Sequence, residues 1–162
     1  MAENLKGVTP GGHTITAHLS IKGAEKAVEF YQKAFGAEVR ALHKTPNGMV
    51  MHASLRIGDS TLMLADDFPN SPAPAPTTLG GSPVVLNIYV ENVDVLFNQA
   101  VAAGAKVLMP LANMFWGDRY GQISDPFGHI WALGTHVEDV APDEMERRSK
   151  AFFTEMSKQK GA

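Results

Sequence analysis

Apolar and polar residues alternate without a break over residues 14–21 (TITAHLSI). Ile15, Ala17, Leu19 and Ile21 fall on one side, and Thr14, Thr16, His18 and Ser20 on the other. A period of two describes a strand with one buried face. The period then lengthens: Ala27, Val28, Tyr31, Ala34 and Phe35 recur at helical spacing and predict an amphipathic helix over residues 24–35. Gly36 stands where a left-handed residue would end it. Alternation resumes over residues 37–44, 49–57 and 60–65, divided by a Pro46-Asn47-Gly48 turn and a Gly58-Asp59 hairpin. In the middle strand Met51, Ala53, Leu55 and Ile57 form the apolar row, and His52, Ser54 and Arg56 the polar one. The first unit therefore reads β-α-β-β-β.

The same order then returns. Residues 84–90 alternate, residues 93–103 form a helix stopped by Gly104, and residues 106–109, 119–124 and 129–135 supply three further strands. IKGAEKAVEFYQKAFGAEV at 21–39 and VENVDVLFNQAVAAGAKV at 90–107 each run from a strand end through a polar turn and a helix to a Gly-Ala stop. Self-similarity on this scale is one supersecondary unit used twice. The expected organisation is a single α+β domain over residues 1–162. Module one spans 13–66, a proline-rich linker 67–83 and module two 84–136, and a C-terminal helix opened by Pro142 covers about 142–159. The linker holds five prolines and two glycines, which predicts no regular element there. Met145, Phe152, Phe153 and Met156 give the last helix a thin apolar stripe. Two modules that pair their sheets leave a concave surface between them, and the site is expected on that surface.

Composition narrows the partners. A chain of 162 residues, 44% hydrophobic and 19% charged, is long enough for one sizeable core. The net charge of -3 argues against nucleic acid, which needs a concentrated basic face. The one basic cluster, Arg147, Arg148 and Lys150, sits among Glu144, Glu146 and Glu155 and reads as a solvated helix face. With no cysteine, disulfides, thiolate nucleophiles and sulfur-ligated metals are excluded. No apolar stretch approaches the roughly 20 residues of a membrane helix. The opening MAENLKGVTPGG has no apolar core of a secretory leader. The expected location is cytoplasmic.

FYQKAFGAEV, MHASLRIGDSTLMLAD, GDRYGQISDPFGHIWAL and THVEDV together resemble the vicinal oxygen chelate superfamily. Within it the resemblance is to the glyoxalase/bleomycin-resistance group, most of all its PhnB-like branch, and it covers about residues 13–140. It implies paired βαβββ modules whose eight strands curl into an open barrel-like cleft, commonly in a homodimer. Metal-dependent members place His and Glu ligands on the inner face of four strands, where a divalent ion acts as a Lewis acid. Matched to that pattern, the ligand positions here hold Thr16, Leu64, Val85 and Ala132. Leu, Val and Ala have no lone pair and a neutral Thr hydroxyl is weak, so no metal or other cofactor is expected. A displaced divalent site on His18 and His52 is the alternative.

His18, His52, Asn87 and Tyr89 stand on the strand faces opposite the aliphatic rows. A few directed polar groups in an otherwise apolar hollow describe a small-molecule site. Phe115 and Trp116 lie in the loop NMFWGDRYG, where two large aromatics need something to cover, and both are candidate ligand contacts. Arg119 could grip a carboxylate or phosphate in a bidentate way; the resemblance implies instead that it is tied to a nearby carboxylate. No nucleophile motif and no phosphate-binding glycine string is present. His18 or His52 is the candidate general base if there is catalysis. The expected function is a binding protein of glyoxalase/bleomycin-resistance type, with its ligand between the modules. The alternative is a metal-dependent lyase, isomerase or dioxygenase.

Overall fold

Two four-stranded sheets carry the chain, and two helices packed on each other join them into one core. The structure, a computed structural model, describes residues 7–9 and 12–159; most of the opening stretch read above for a leader lies outside them. Module one runs β1 (Ala17–Ile21), α1 (Ala24–Phe35), β2 (Glu38–Lys44), β3 (Val50–Ile57) and β4 (Ser60–Asp66). After a one-turn helix α2 (Pro76–Leu79), module two repeats the order. It consists of β5 (Val85–Tyr89), α3 (Val93–Ala102), β6 (Lys106–Asn113), β7 (Asp118–Ser124) and β8 (Ile130–His136). The last helix is α4 (Pro142–Gln159).

The sheet orders are β1-β4-β3-β2 and β5-β8-β7-β6. In each module the first strand is parallel to the last, and the other pairs are antiparallel. That pattern follows from the helix after the first strand, since parallel neighbours need a crossover while hairpins do not. The two sheets are not hydrogen-bonded to each other, so the eight strands stay open and β1 and β5 each end a sheet with a free edge.

Helix α1 starts where Asp66 Oδ1 accepts from the N–H groups of Gly23 and Ala24 at 3.1 and 2.9 Å. A carboxylate there satisfies orphan donors and complements the helix dipole. It ends at Gly36, whose φ of 65° is left-handed as expected. Ile21, Leu55 and Leu64 from one sheet and Ile123, Trp131 and Leu133 from the other bury against α1 and α3 in a single core. Gln99 on α3 donates to the carbonyl of Lys33 on α1 at 2.8 Å. The polar rows of both sheets therefore lie on the sides away from the helices.

Three local readings change. The linker is not wholly irregular: Pro76 opens α2, and Ala75 and Pro76 are buried. Proline at the first helical position gives up an N–H that would have been unpaired anyway. Strand β6 continues past Pro110 to Asn113, its register shifting around Met109. The missing N–H of proline is absorbed by that irregularity. Met51 is 57% exposed, because His43 pairs with His52 while Lys44 pairs with Val50. One residue is extra on β3, and this bulge turns Met51 out of the apolar row.

A candidate binding cavity between the modules

The free edges of β1 and β5 flank a cavity of about 750 Å³. Phe35 at the end of α1 and Trp131 on β8 form its aromatic wall, with ring centroids 4.8 Å apart. Leu86 and Ile88 of β5 add aliphatic surface, and Asn87 and Tyr89 of the same strand bring polar atoms. Both kinds of side chain reach the cavity from one strand because β5 is an edge, so its two faces border the same gap. The β3–β4 hairpin closes the far side with Asp59.

Tyr89 is held from behind. Its hydroxyl donates to Asp118 Oδ2 at 2.8 Å, and the Trp116 indole N–H donates to the same oxygen at 2.9 Å. Asp118 Oδ1 lies 2.8 Å from Nδ1 of His136, its cross-strand partner. Burial opposes the charge on Asp118, but donors from His136, Tyr89 and Trp116 outweigh it and hold the carboxyl below the ordinary range. Donation to Asp118, then burial, pushes the Tyr89 phenol up. The sequence reading missed Asp118 and His136. Strand alternation carried the signal: Asp118 opposes His136, and the polar face of β5 carries Tyr89.

The other candidates lie elsewhere. His18 and His52 meet edge to face on the polar side of the first sheet, centroids 6.1 Å apart, and His43 stacks on His52 at 6.4 Å. Burial, then the neighbouring His52, lowers the proton affinity of His18. Arg119 is engaged by Asp94: Nε and Nη2 each donate at 2.6 Å to one of its carboxylate oxygens. Phe115 packs on Phe152 of α4, centroids 5.1 Å apart, so its cover comes from the chain itself. Of the seven ligand candidates, the cavity gathers Asn87 and Tyr89; Trp116 does not line it and is linked to it only through Asp118, which holds Tyr89.

Thr16 precedes β1 on the side of His18, while Val85 and Ala132 share the face of Asn87. Leu64 does not share the polar face. It is fully buried against the helices and pairs with Leu19 and Ala53, and its neighbours Met63 and Ala65 turn the other way. The tight hairpin sets this phase by pairing Ile57 with Ser60. These four positions do not make a donor set for a divalent ion. Among the described residues no three His, Cys, Asp or Glu side chains converge to hold one.

The sequence profile of the glyoxalase/bleomycin resistance protein/dioxygenase superfamily matches residues 12–133. The chain belongs to that superfamily. An uncharacterised protein of Mycobacterium bovis is 43% identical over 135 residues, 82% of this chain and 89% of its own length. The solved structure of TioX from Micromonospora sp. ML1 aligns with a TM-score of 0.62 at 26% identity, covering 78% of this chain and all of that one. The PhnB protein of Bacillus cereus shares the fold, with a TM-score of 0.60 at 24% identity over 76% of this chain and 99% of its own. The superfamily match ends before His136 and α4.

Proposed function

We propose that this glyoxalase-superfamily chain binds a small planar molecule in the cavity between its modules and needs no resident metal ion or other cofactor to do so. The cavity itself carries the reading. About 750 Å³ behind a Phe35–Trp131 wall is the size and character of a small-molecule site. Apolar burial at ~25 cal/mol per Å² supplies affinity, and Asn87 and Tyr89 orient the ligand. Among the described residues Asp59 is the lining carboxylate, and no Lys, Arg or His lines the wall. An anion would lose its hydration against a wall whose one charged group is the Asp59 carboxylate, with His13 and Arg56 acting on that carboxylate from beyond the wall. The ligand is therefore neutral or cationic.

The site is served by a homodimer in this proposal. Ile15 is 88% exposed beside the free edge of β1, and Val85 and Tyr89 are exposed on β5. Strand edges with apolar flanks are templates for pairing, and a second copy supplies matching edges. No helix of the described residues is long and apolar enough to cross a membrane. A cytoplasmic protein that engages neither membrane nor nucleic acid completes the proposal.

The test uses Trp116→Phe, which leaves Trp131 as the sole tryptophan reporter. The variant is titrated with cationic thioflavin T, neutral N-phenyl-1-naphthylamine and anionic 8-anilinonaphthalene-1-sulfonate. Saturable, chelator-insensitive quenching by the first two is expected, with the anion binding at least several-fold more weakly. No saturable change with any probe would sink the binding reading. Preferred binding of the anion would sink the charge assignment alone.

A second reading, a metal-dependent lyase, isomerase or dioxygenase with a displaced site, draws on the His18–His52 ring pair with His43 beside it. It requires near-stoichiometric divalent metal in protein purified without chelator, lost in His18→Ala or His52→Ala. Less than about a tenth of an equivalent removes it.

A further inference from the structure

Both ring nitrogens of His136 face carboxylates. Nδ1 lies 2.8 Å from Asp118 Oδ1, and Nε2 lies 2.9 Å from Asp139 Oδ1. A neutral imidazole carries a single N–H, so one of the two contacts would set a lone pair against an anion. Only the imidazolium donates at both ends. We infer that protonated His136 is a clasp fastening the root of α4 to the second sheet, and that raising the pH opens it.

The two carboxylates differ in a way that gives the clasp direction. Asp118, on β7, is buried and immobilised by Tyr89 and Trp116. Asp139 is fully exposed, in the segment that leads from β8 to α4. His136 therefore ties a movable carboxylate to a fixed one. The same segment is stitched to the Trp116 loop: the N–H groups of Val137 and Glu138 donate to the Gly117 carbonyl at 2.9 and 3.0 Å. Glu138 in turn accepts two hydrogen bonds of 2.8 Å from Arg148 on α4. Beyond this root α4 leans on the body at Phe115, and Phe152, Phe153 and Met156 are all exposed. Whatever loosens residues 137–139 loosens the helix and the loop together.

The titratable groups facing the imidazole are Asp139 on its own segment and Asp118 on β7; Tyr89 on β5 reaches it only through Asp118. Asp139, then Asp118, raises the proton affinity of His136 above that of an ordinary histidine. The sign follows by linkage. The stabilisation is complete below the unfolded value of about 6.5 and is lost as pH rises through the higher folded value. The superfamily match covers residues 12–133, so His136, Asp139 and α4 all lie past it. The device joins β7 of the second module to the segment that leads into α4, and it stands whether or not the cavity binds a ligand.

Two measurements on the full chain test it, between about pH 5.5 and 9. Histidine ring ¹⁵N spectroscopy follows His136, and hydrogen exchange, corrected for intrinsic rate, follows residues 142–159. Both ring nitrogens should carry protons at the acid end, and the midpoint should lie above that of a free histidine. Exchange protection of α4 should fall at least several-fold across the same midpoint. Asp139→Asn, an exposed substitution that leaves the core intact, should lower the midpoint and remove most of the pH dependence. His136→Gln should show the unprotected level of the alkaline wild type at every pH. A midpoint at or below that of a free histidine, or flat α4 protection through the titration, overturns the clasp. So does an Asp139→Asn variant that titrates like the parent.

Discussion

The Tyr31 hydroxyl donates to Asp125 Oδ2 at 2.7 Å, joining residues 94 positions apart and in different modules. The Trp131 indole donates to the same oxygen at 2.9 Å, and the N–H groups of Phe127 and His129 occupy Oδ1. A buried carboxylate with four donors is a satisfied one, and it can anchor a junction without an unpaired charge. Behind it Tyr31, Phe35 and Trp131 pack as an aromatic cluster that also walls the cavity.

Tyr31→Phe removes one of those four donors and leaves the ring. The expected cost is about 1.5–3 kcal/mol, the range for a hydrogen bond to a charged group, read as a lower urea midpoint at unchanged slope. Burial and the neighbouring Asp125 push the Tyr31 phenol far above its ordinary value. Folded protein therefore holds Tyr31 neutral, and stability should fall as pH rises past about 10, where the unfolded phenol ionises. Tyr31→Phe should flatten that alkaline loss. An equally steep loss in the variant refutes the assignment.

Gly117→Ala attacks the segment below α4. Gly117 sits at φ +96°, and an added Cβ would stand 2.1 Å from the Glu138 carbonyl oxygen. Backbone cannot yield as a flexible side chain does, so steric strain adds to the dihedral cost. A loss of at least ~2 kcal/mol is expected. Exchange should rise first in residues 114–118 and 137–159. A thermal midpoint within a degree of the parent contradicts this.

Arg119→Ala separates a surface tether from a ligand contact. Asp94 already takes two of the Arg119 donors, and Arg119 does not line the cavity. Probe affinity in the cavity should be unchanged. A loss of tenfold or more would return Arg119 to the binding site.

Acid should act on α4 late. Donors from Arg147 and Arg148 hold the Glu144 carboxyl down at about 2, from an ordinary 4.5. Its contribution is complete above the ordinary value and is lost as pH falls through about 2. Helix exchange protection should therefore persist through pH 4 and drop near pH 2, whereas Glu144→Gln should be weaker above that drop, equal to the parent below it, and flat over that range.

Strand and helix identity was legible because period-two and helical spacing are local properties, and the repeat made each module a check on the other. The bounds of α1 and α4 match the pattern-based ones. Errors arose where backbone irregularity changes phase without changing composition. The β3 bulge moved Met51, and the hairpin phase put Leu64 on the buried side instead of the wall. The site was legible in part. Asn87 and Tyr89 follow from alternation on β5, but the Phe35–Trp131 wall joins residues from separate modules, and no local pattern announces that.

Alternation and helical periodicity by themselves determined the duplicated βαβββ order and most of the buried rows, because each depends only on neighbours in the chain; the superfamily was legible only through the resemblance of strings such as FYQKAFGAEV, GDRYGQISDPFGHIWAL and THVEDV. Tertiary structure decided which faces meet. The aliphatic rows of both modules share α1 and α3, which leaves the polar rows on the far sides and opens the cavity at the β1 and β5 edges. The physical reason lies in long-range pairing. Tyr31 with Asp125, and His136 with Asp118 and Asp139, are held by geometry that only the packed chain creates.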